Sequence, residues 1–170
     1  MGDNGAVREW LVAGAVIETE DGVLLVRNLR RNGLSDWTPP GGVIEVAERD
    51  NIREGLAREV VEETGLQVET WGPLLYEVEA EAPGLGWIMK AQIYKVEAVS
   101  GSLVVGNDPD GIVTDAAYVP LHLCAGHLEG THDWVSEPLT EWLDGRFDHQ
   151  PTYRYRLEDA AAGRGRIIRL

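Results

Sequence analysis

The stretch Arg58-Glu59-Val60-Val61-Glu62-Glu63-Thr64-Gly65-Leu66 restricts what this chain can become more than any other. Apolar residues recur in and before it at helical spacing. Leu56, Ala57, Val60, Val61 and Thr64 form an arc able to pack on a sheet. Each residue turns about 100°, so Glu59, Glu62 and Glu63 share the neighbouring arc. Three like charges at i, i+3 and i+4 repel by a few tenths of a kcal/mol per pair. Two of them also fall in the last turn before Gly65, where the helix dipole disfavours anions by about 0.3–1 kcal/mol. Local stability alone would place lysine or arginine there. A divalent cation reverses the sign of that penalty, and violations of this kind concentrate at functional sites. The residues alone leave a solvated acidic face as the plain alternative.

Around this helix the pattern is strand-rich. Val12–Thr19 and Val23–Val26 flank the turn Glu20-Asp21-Gly22 and read as a hairpin. Residues 28–42 end in Trp37-Thr38-Pro39-Pro40-Gly41-Gly42 and read as a shaped loop. The helix is expected from about Asn51 to Thr64, with Asp50 as N-cap, Glu54–Arg58 and Arg58–Glu62 as ion pairs, and Gly65 as the left-handed cap. Further strands are expected at Gln67–Trp71, Leu74–Ala80, Trp87–Val99 and Ala117–Pro120, with a second helix over Ser136–Leu143. Tyr153–Leu157 alternates like an edge strand. Strands and helices intermixed with hairpins predict an α/β domain with a mixed sheet.

The charge balance narrows the partners. Lys+Arg 15 against Asp+Glu 29 gives a formal charge of −14. Such a field repels duplex nucleic acid and anionic membrane, so neither is expected as a partner. A phosphate ester can still bind if a local cation is present, and clustered carboxylates point to a divalent metal. Hard cations such as Mg²⁺ take carboxylate oxygens, keep several waters and are completed by substrate phosphate. The metal neutralises developing charge and acidifies a bound water, while a spare carboxylate takes its proton. No apolar run approaches ~18 residues, the start lacks the basic region of a signal peptide, and there is a single cysteine, Cys124. A cytoplasmic protein is the expectation.

Gly42 to Leu66 resembles the Nudix box, G-x5-E-x7-R-E-U-x-E-E-x-G-U, with U a bulky aliphatic. Arg58 to Leu66 fits every defined position. The first half departs from the pattern: the residue six after Gly42 is Glu48, whereas counting back eight from Arg58 reaches Asp50, so the loop carries two extra residues. Either Glu48 or Asp50 can fill the first acidic place. The resemblance implies an α/β/α sandwich over residues 1–147; residues 148–170 lie outside it and read as a basic tail, an extra strand or hairpin of the same domain. That tail carries Arg154, Arg156, Arg164, Arg166 and Arg169, which can pair with the acidic body or with a second subunit of a homodimer.

The resemblance also implies Mg²⁺-dependent hydrolysis (Mn²⁺ a substitute) of a nucleoside diphosphate linked to another moiety. The leading substrates are (d)NTPs, oxidised forms included, and NDP-sugars such as ADP-ribose; the alternative is a non-catalytic nucleotide sensor. Glu59, Glu62 and Glu63, with the Gly41 carbonyl, are the expected metal ligands. Arg58 orients a glutamate, and the base is left unassigned among the box glutamates and later loop carboxylates such as Asp108. Gly41 and Gly42 shape the substrate loop, Trp37 offers a stacking surface, and Arg27, Arg30 and Arg31 offer phosphate contacts. Asp108 and Asp110 otherwise read as ordinary turn formers. His122, Cys124, His127 and His132 lack zinc-ligand spacing and are expected at the surface or in hydrogen bonds.

Overall fold

Alternation along the first apolar run decides the layering. The computed structural model describes residues 5–160, 163 and 165–170, so Arg164 lies outside the described residues. Strand β1, Arg8–Thr19, sends Ala13, Ala15 and Ile17 to one side of the sheet and Val12 and Val16 to the other. The first set packs under helix α1, Ile52–Thr64, through Leu56 and Val60. The second packs under α2, Leu121–His127, and α3, Asp133–Gly145, through Cys124, Leu139 and Trp142. The result is an α/β/α sandwich around a mixed sheet.

β2, Gly22–Leu29, closes the expected hairpin with β1 and then pairs with β3, Ser35–Thr38. β4, Gly41–Val43, lies antiparallel to β1 with Gly41 opposite Gly14. The expected shaped loop at 28–42 therefore contains short strands. They read as loop because Pro39, Pro40 and the glycines mask a few residues of pairing. A Cβ on Gly41 would collide with the Ala13 carbonyl oxygen and Gly14 Cα, so only glycine brings the two backbones this close.

β5, Gln67–Ala82, runs antiparallel to β6, Trp87–Ser100, and β6 runs parallel to β1. The two strands expected on either side of Gly72-Pro73 are one. Its register shifts between Trp71 and Leu74, leaving Pro73, which has no N–H, outside the ladder. β7, Val113–Val119, joins β2 and begins earlier than expected. Pro120 and Gly126 make the sequence around α2 read as loop. A seven-residue helix owes little to propensity and is held by Cys124 and Leu128 in the core. α3 begins three residues before the expected Ser136.

β8, Thr152–Glu158, adds parallel to β5, and β9, Arg166–Arg169, adds antiparallel to β8. The edge position expected of Tyr153–Leu157 is not found: β8 is internal, and β9 forms the edge. Tyr153 and Tyr155 enter the core beneath α3, while Arg154 and Arg156 pair with Glu79 and Glu81 on the other face. Arg166 pairs with Glu158, and Arg169 with Glu137 and Glu141. The described basic residues of the tail thus meet carboxylates of their own chain. Among the described residues no helix is long and apolar enough to cross a membrane.

Tyr155 is 1% exposed and its hydroxyl donates to Glu137 Oε2 at 2.9 Å. Tyr155→Ala is expected to lower unfolding free energy by about 3–5 kcal/mol. Tyr155→Phe, which removes only the hydrogen bond, should cost about 1 kcal/mol. Urea unfolding followed by circular dichroism checks both; a small Ala effect would mean that β8 is an appendage rather than a core strand.

Candidate functional site

The site is built where β4 meets α1. Asn51, not Asp50, caps the helix, its side chain accepting from the Glu54 N–H at 3.3 Å. Gly65 ends it in the left-handed conformation at φ 76°. Leu56, Val60 and Thr64 are fully buried beneath the helix. This packing turns Arg58, Glu59, Glu62 and Glu63 toward the Gly41–Gly42 strand and the turn that follows it.

Arg58 is the hub. Its Nε and terminal nitrogen donate to both oxygens of Glu48 at 2.8 Å, a bidentate pair. Its other nitrogen lies 3.2 Å from Glu59 and 3.1 Å from Glu62. The hydrogen bonds from Arg58 hold the Glu48 carboxyl below its ordinary value, and those same bonds keep the guanidinium firmly protonated. The structure thereby brings Glu48 to the first acidic place, and Asp50 is exposed beyond it. The two extra residues are absorbed between the 3₁₀ turn Val46–Glu48 and the Asn51 cap, outside the carboxylate cluster. The expected Glu54–Arg58 pair is absent among the described ion pairs, because Glu54 accepts from Asn51 instead.

Glu63 is 5% exposed, and its Oε1 accepts from the Gly41 N–H at 2.8 Å. Burial pushes its carboxyl up to about 8 despite that hydrogen bond, helped by the charges of Glu59, Asp108 and Glu62. Burial likewise pushes Glu59 up to about 7 against the pull of Arg58. Glu59 is wedged against the strand: a Cβ added at Gly42 would lie 2.8 Å from its Cδ. Asp108 spends its carboxylate on the N–H groups of Asp110, Ile112 and Val113, at 3.2, 2.9 and 3.0 Å. It is a loop former, as the turn reading expected, whose charge also bears on Glu59 and Glu63.

Buried, charge-raising carboxylates beside one arginine are the donor chemistry a hard divalent cation takes. In this arrangement their oxygens are turned to Arg58 and Gly41. Among the described residues no three histidine, cysteine, aspartate or glutamate side chains are already gathered as ligands of one ion. Cation binding therefore asks these side chains to trade present partners for the metal.

The remaining candidates are dispersed. Trp37 packs in the core under α2, edge-on to His127 at 5.2 Å, on the opposite face of the sheet from α1. Arg27 is exposed opposite Trp37 in the β2–β3 ladder, and Arg31 is exposed in the following turn. Arg30 is bound bidentately to Asp36 at 2.8 Å. A polar cluster unforeseen from sequence joins them: Asn28, 5% exposed, donates to Asp36 and Thr38. Its only signal was the i, i+2 spacing of Asp36 and Thr38 before the prolines. Cys124 contacts the Val119 and Pro120 carbonyls, His132 lies against Trp134, and His122 is exposed.

A glycine strand, an arginine-centred glutamate cluster on one helix and an α/β/α sandwich define the Nudix class, and a NUDIX domain match spans residues 8–143. The chain belongs to the Nudix family. It is 50% identical over 58 residues to a MutT-like protein of Streptomyces ambofaciens, covering 34% of each chain. It is 30% identical over 111 residues to the 8-oxo-dGDP phosphatase NUDT18 of Homo sapiens, covering 65% of this chain and 32% of that one. The matches therefore span about a third of these relatives' length. The fold is shared with the E. coli ORF135 protein at TM-score 0.67 and 21% identity, over 87% of this chain and 100% of that one. It is also shared with a MutT protein of Bacillus halodurans at TM-score 0.67 and 19% identity, over 89% and 92%.

Two predictions follow from the geometry. Without metal, Glu59 and Glu63 hold protons in the folded state that the unfolded chain releases near 4.5. Between 4.5 and about 8 the native state binds more protons, so stability is greatest at the acid end and falls as pH rises through about 7 and 8. Thermal melts in EDTA should drop by several degrees across this window, and Glu63→Gln should flatten the decline. A flat wild-type profile would contradict the burial argument. Gly42→Ala should displace the end of the Glu59 side chain and cut turnover severely while leaving the melting temperature nearly unchanged, since only a flexible tip must move.

Proposed function

We propose that the chain is a nucleotide pyrophosphohydrolase that uses Mg²⁺, with Mn²⁺ able to substitute. Its substrate would be a nucleoside diphosphate linked to a further phosphate, a sugar or another group. The observation that carries this reading is the carboxylate cluster of α1 against the Gly41–Gly42 strand: Glu59 and Glu62 on Arg58, and Glu63 on the Gly41 N–H.

Glu59, Glu62 and Glu63, with the Gly41 carbonyl, would hold the metal. When bound, the metal supplies charge neutralisation on phosphate and a more acidic water. Arg58 fixes the orientation of Glu62 and Glu59 and is itself anchored by Glu48. Gly42 leaves the room that the Glu59 carboxylate occupies. The proton of the attacking water would pass to a carboxylate not engaged by the metal, a box glutamate or one on a later loop. Water attack at one phosphorus then breaks a single phosphoanhydride bond, giving two phosphorylated products.

Similarity to the 8-oxo-dGDP phosphatase supports placing oxidised purine nucleotides first, ahead of NDP-sugars and ADP-ribose. The one feature that favours a non-catalytic sensor, the two-residue insertion, lies outside the carboxylate cluster.

Ion-exchange product analysis decides the matter. The panel is dNTPs, 8-oxo-dGTP, 8-oxo-dGDP, ADP-ribose, NDP-sugars, NADH and dinucleoside polyphosphates, each with Mg²⁺ and with EDTA. Cleavage is expected with Mg²⁺ alone, and Glu62→Gln and Glu63→Gln should each lower kcat by at least about 10²-fold. Wild-type rates in both variants would remove the assignment. Binding without cleavage of any substrate would favour the sensor.

A further inference from the structure

Gly55 is the fourth residue of α1 and is buried. A glycine inside a helix loses stability relative to alanine, and no left-handed conformation asks for one here, since the backbone is helical. What covers the residue supplies the reason. A Cβ at position 55 would lie 3.1 Å from the Glu48 carboxyl carbon, 3.2 Å from Glu48 Cβ and 3.1 Å from Ile44 Cδ1. Carbon atoms pack best at about 3.5–4.0 Å, so all three neighbours would have to give way.

Neither residue is free to do so. Ile44 is 1% exposed and packs in the core beneath α1. The Glu48 carboxylate is forked onto Arg58 at 2.8 Å, and its Oε1 also accepts from the Glu45 N–H at 3.1 Å. Residue 55 lies three before Arg58, on the same side of the helix, and helical side chains lean toward the N-terminus. Glu48 therefore meets the guanidinium across the bare surface that glycine leaves.

We propose that Gly55 is a positioning residue of the carboxylate site: it admits the Glu48 carboxyl to the side of α1, and Glu48 in turn fixes Arg58 for Glu59 and Glu62. The consequence for turnover rests on the hydrolase reading, whereas the arginine geometry does not.

The test compares the native chain, uniformly ¹⁵N-labelled, with Gly55→Ala, Glu48→Ala and the double variant. The Arg58 Nε–Hε NMR signal, assigned through Arg58→Lys, reports the bond to Glu48, and thermal melts report folding. Gly55→Ala should move that signal toward its position in Glu48→Ala and speed its exchange with water about tenfold. On whichever nucleotide of the product panel is cleaved, it should also lower kcat about tenfold. In the Glu48→Ala chain the same substitution should leave both the signal and kcat where they were, because the group it displaces is gone. Were Gly55→Ala alone unfolded, the double variant should regain the fold. An unmoved Arg58 signal in folded Gly55→Ala, an equal loss of kcat with and without Glu48, or a double variant no better folded than Gly55→Ala would each overturn the proposal. If no nucleotide is cleaved by the native chain, the hydrolase reading fails, and the Arg58 signal alone still decides whether Gly55 places Glu48.

Discussion

Burying a carboxylate is costly unless it is paired and hydrogen-bonded, and α1 buries two of them at its last turns. Glu63 is buried beside the glycine strand, with one backbone N–H as its partner. Glu59 lies against Gly42 with half of Arg58 for a counter-charge. Much of the local architecture follows from that expense. β4 has to be glycine so that it can approach β1 on one side and the glutamate tips on the other. Arg58 has to be anchored by Glu48, since a mobile guanidinium would give Glu59 and Glu62 no fixed partner. The helix dipole opposes all of this, which is why the same residues are a poor choice for stability and a good one for gripping a cation.

The rest of the sheet supplies rigidity to that arrangement. β1 carries the glycine strand on one edge and β6 on the other, so β4 is registered against a strand that β6 holds from Arg8 to Ile17. β8 and β9 extend the same sheet, and their tyrosines fill the layer under α3. Their arginines neutralise glutamates that would otherwise repel along β5 and α3. Exposed pairs of this kind add little energy singly. Their effect is to let a strongly acidic chain keep a continuous sheet without like charges facing across strands.

Legibility from sequence tracked how local the determining physics was. Glu59, Glu62, Glu63 and the Gly65 cap were readable because helical spacing and a left-handed stop are properties of a few neighbouring residues. The β1–β2 hairpin was readable for the same reason. α2 was not, because a short helix containing Gly126 and preceded by Pro120 exists only through its burial of Cys124 and Leu128. The choice between Glu48 and Asp50 needed the path of the 3₁₀ turn, which decides whose carboxylate reaches Arg58. Trp37 looked available beside the glycine loop, but strand alternation turns it into the α2 layer, away from α1. The continuity of β5 across Gly72-Pro73 depended on β6 tolerating a shift in register.

Electrostatics makes the placement of cations the deciding matter for an anionic substrate. Most of the fifteen basic residues are already engaged with carboxylates in the folded chain. Arg30, the residue before the glycine loop with the best geometry for a phosphate, is locked on Asp36. Arg58 is surrounded by three glutamates and cannot turn outward without releasing them. A phosphate approaching the cluster therefore meets net negative charge from the protein alone. Under the proposed function the attraction has to be carried in with the divalent cation, and the carboxylates that repel the substrate in its absence are what bind that cation. Metal binding and substrate binding are then electrostatically coupled, because the arginine at the centre of the cluster is already committed to Glu48, Glu59 and Glu62.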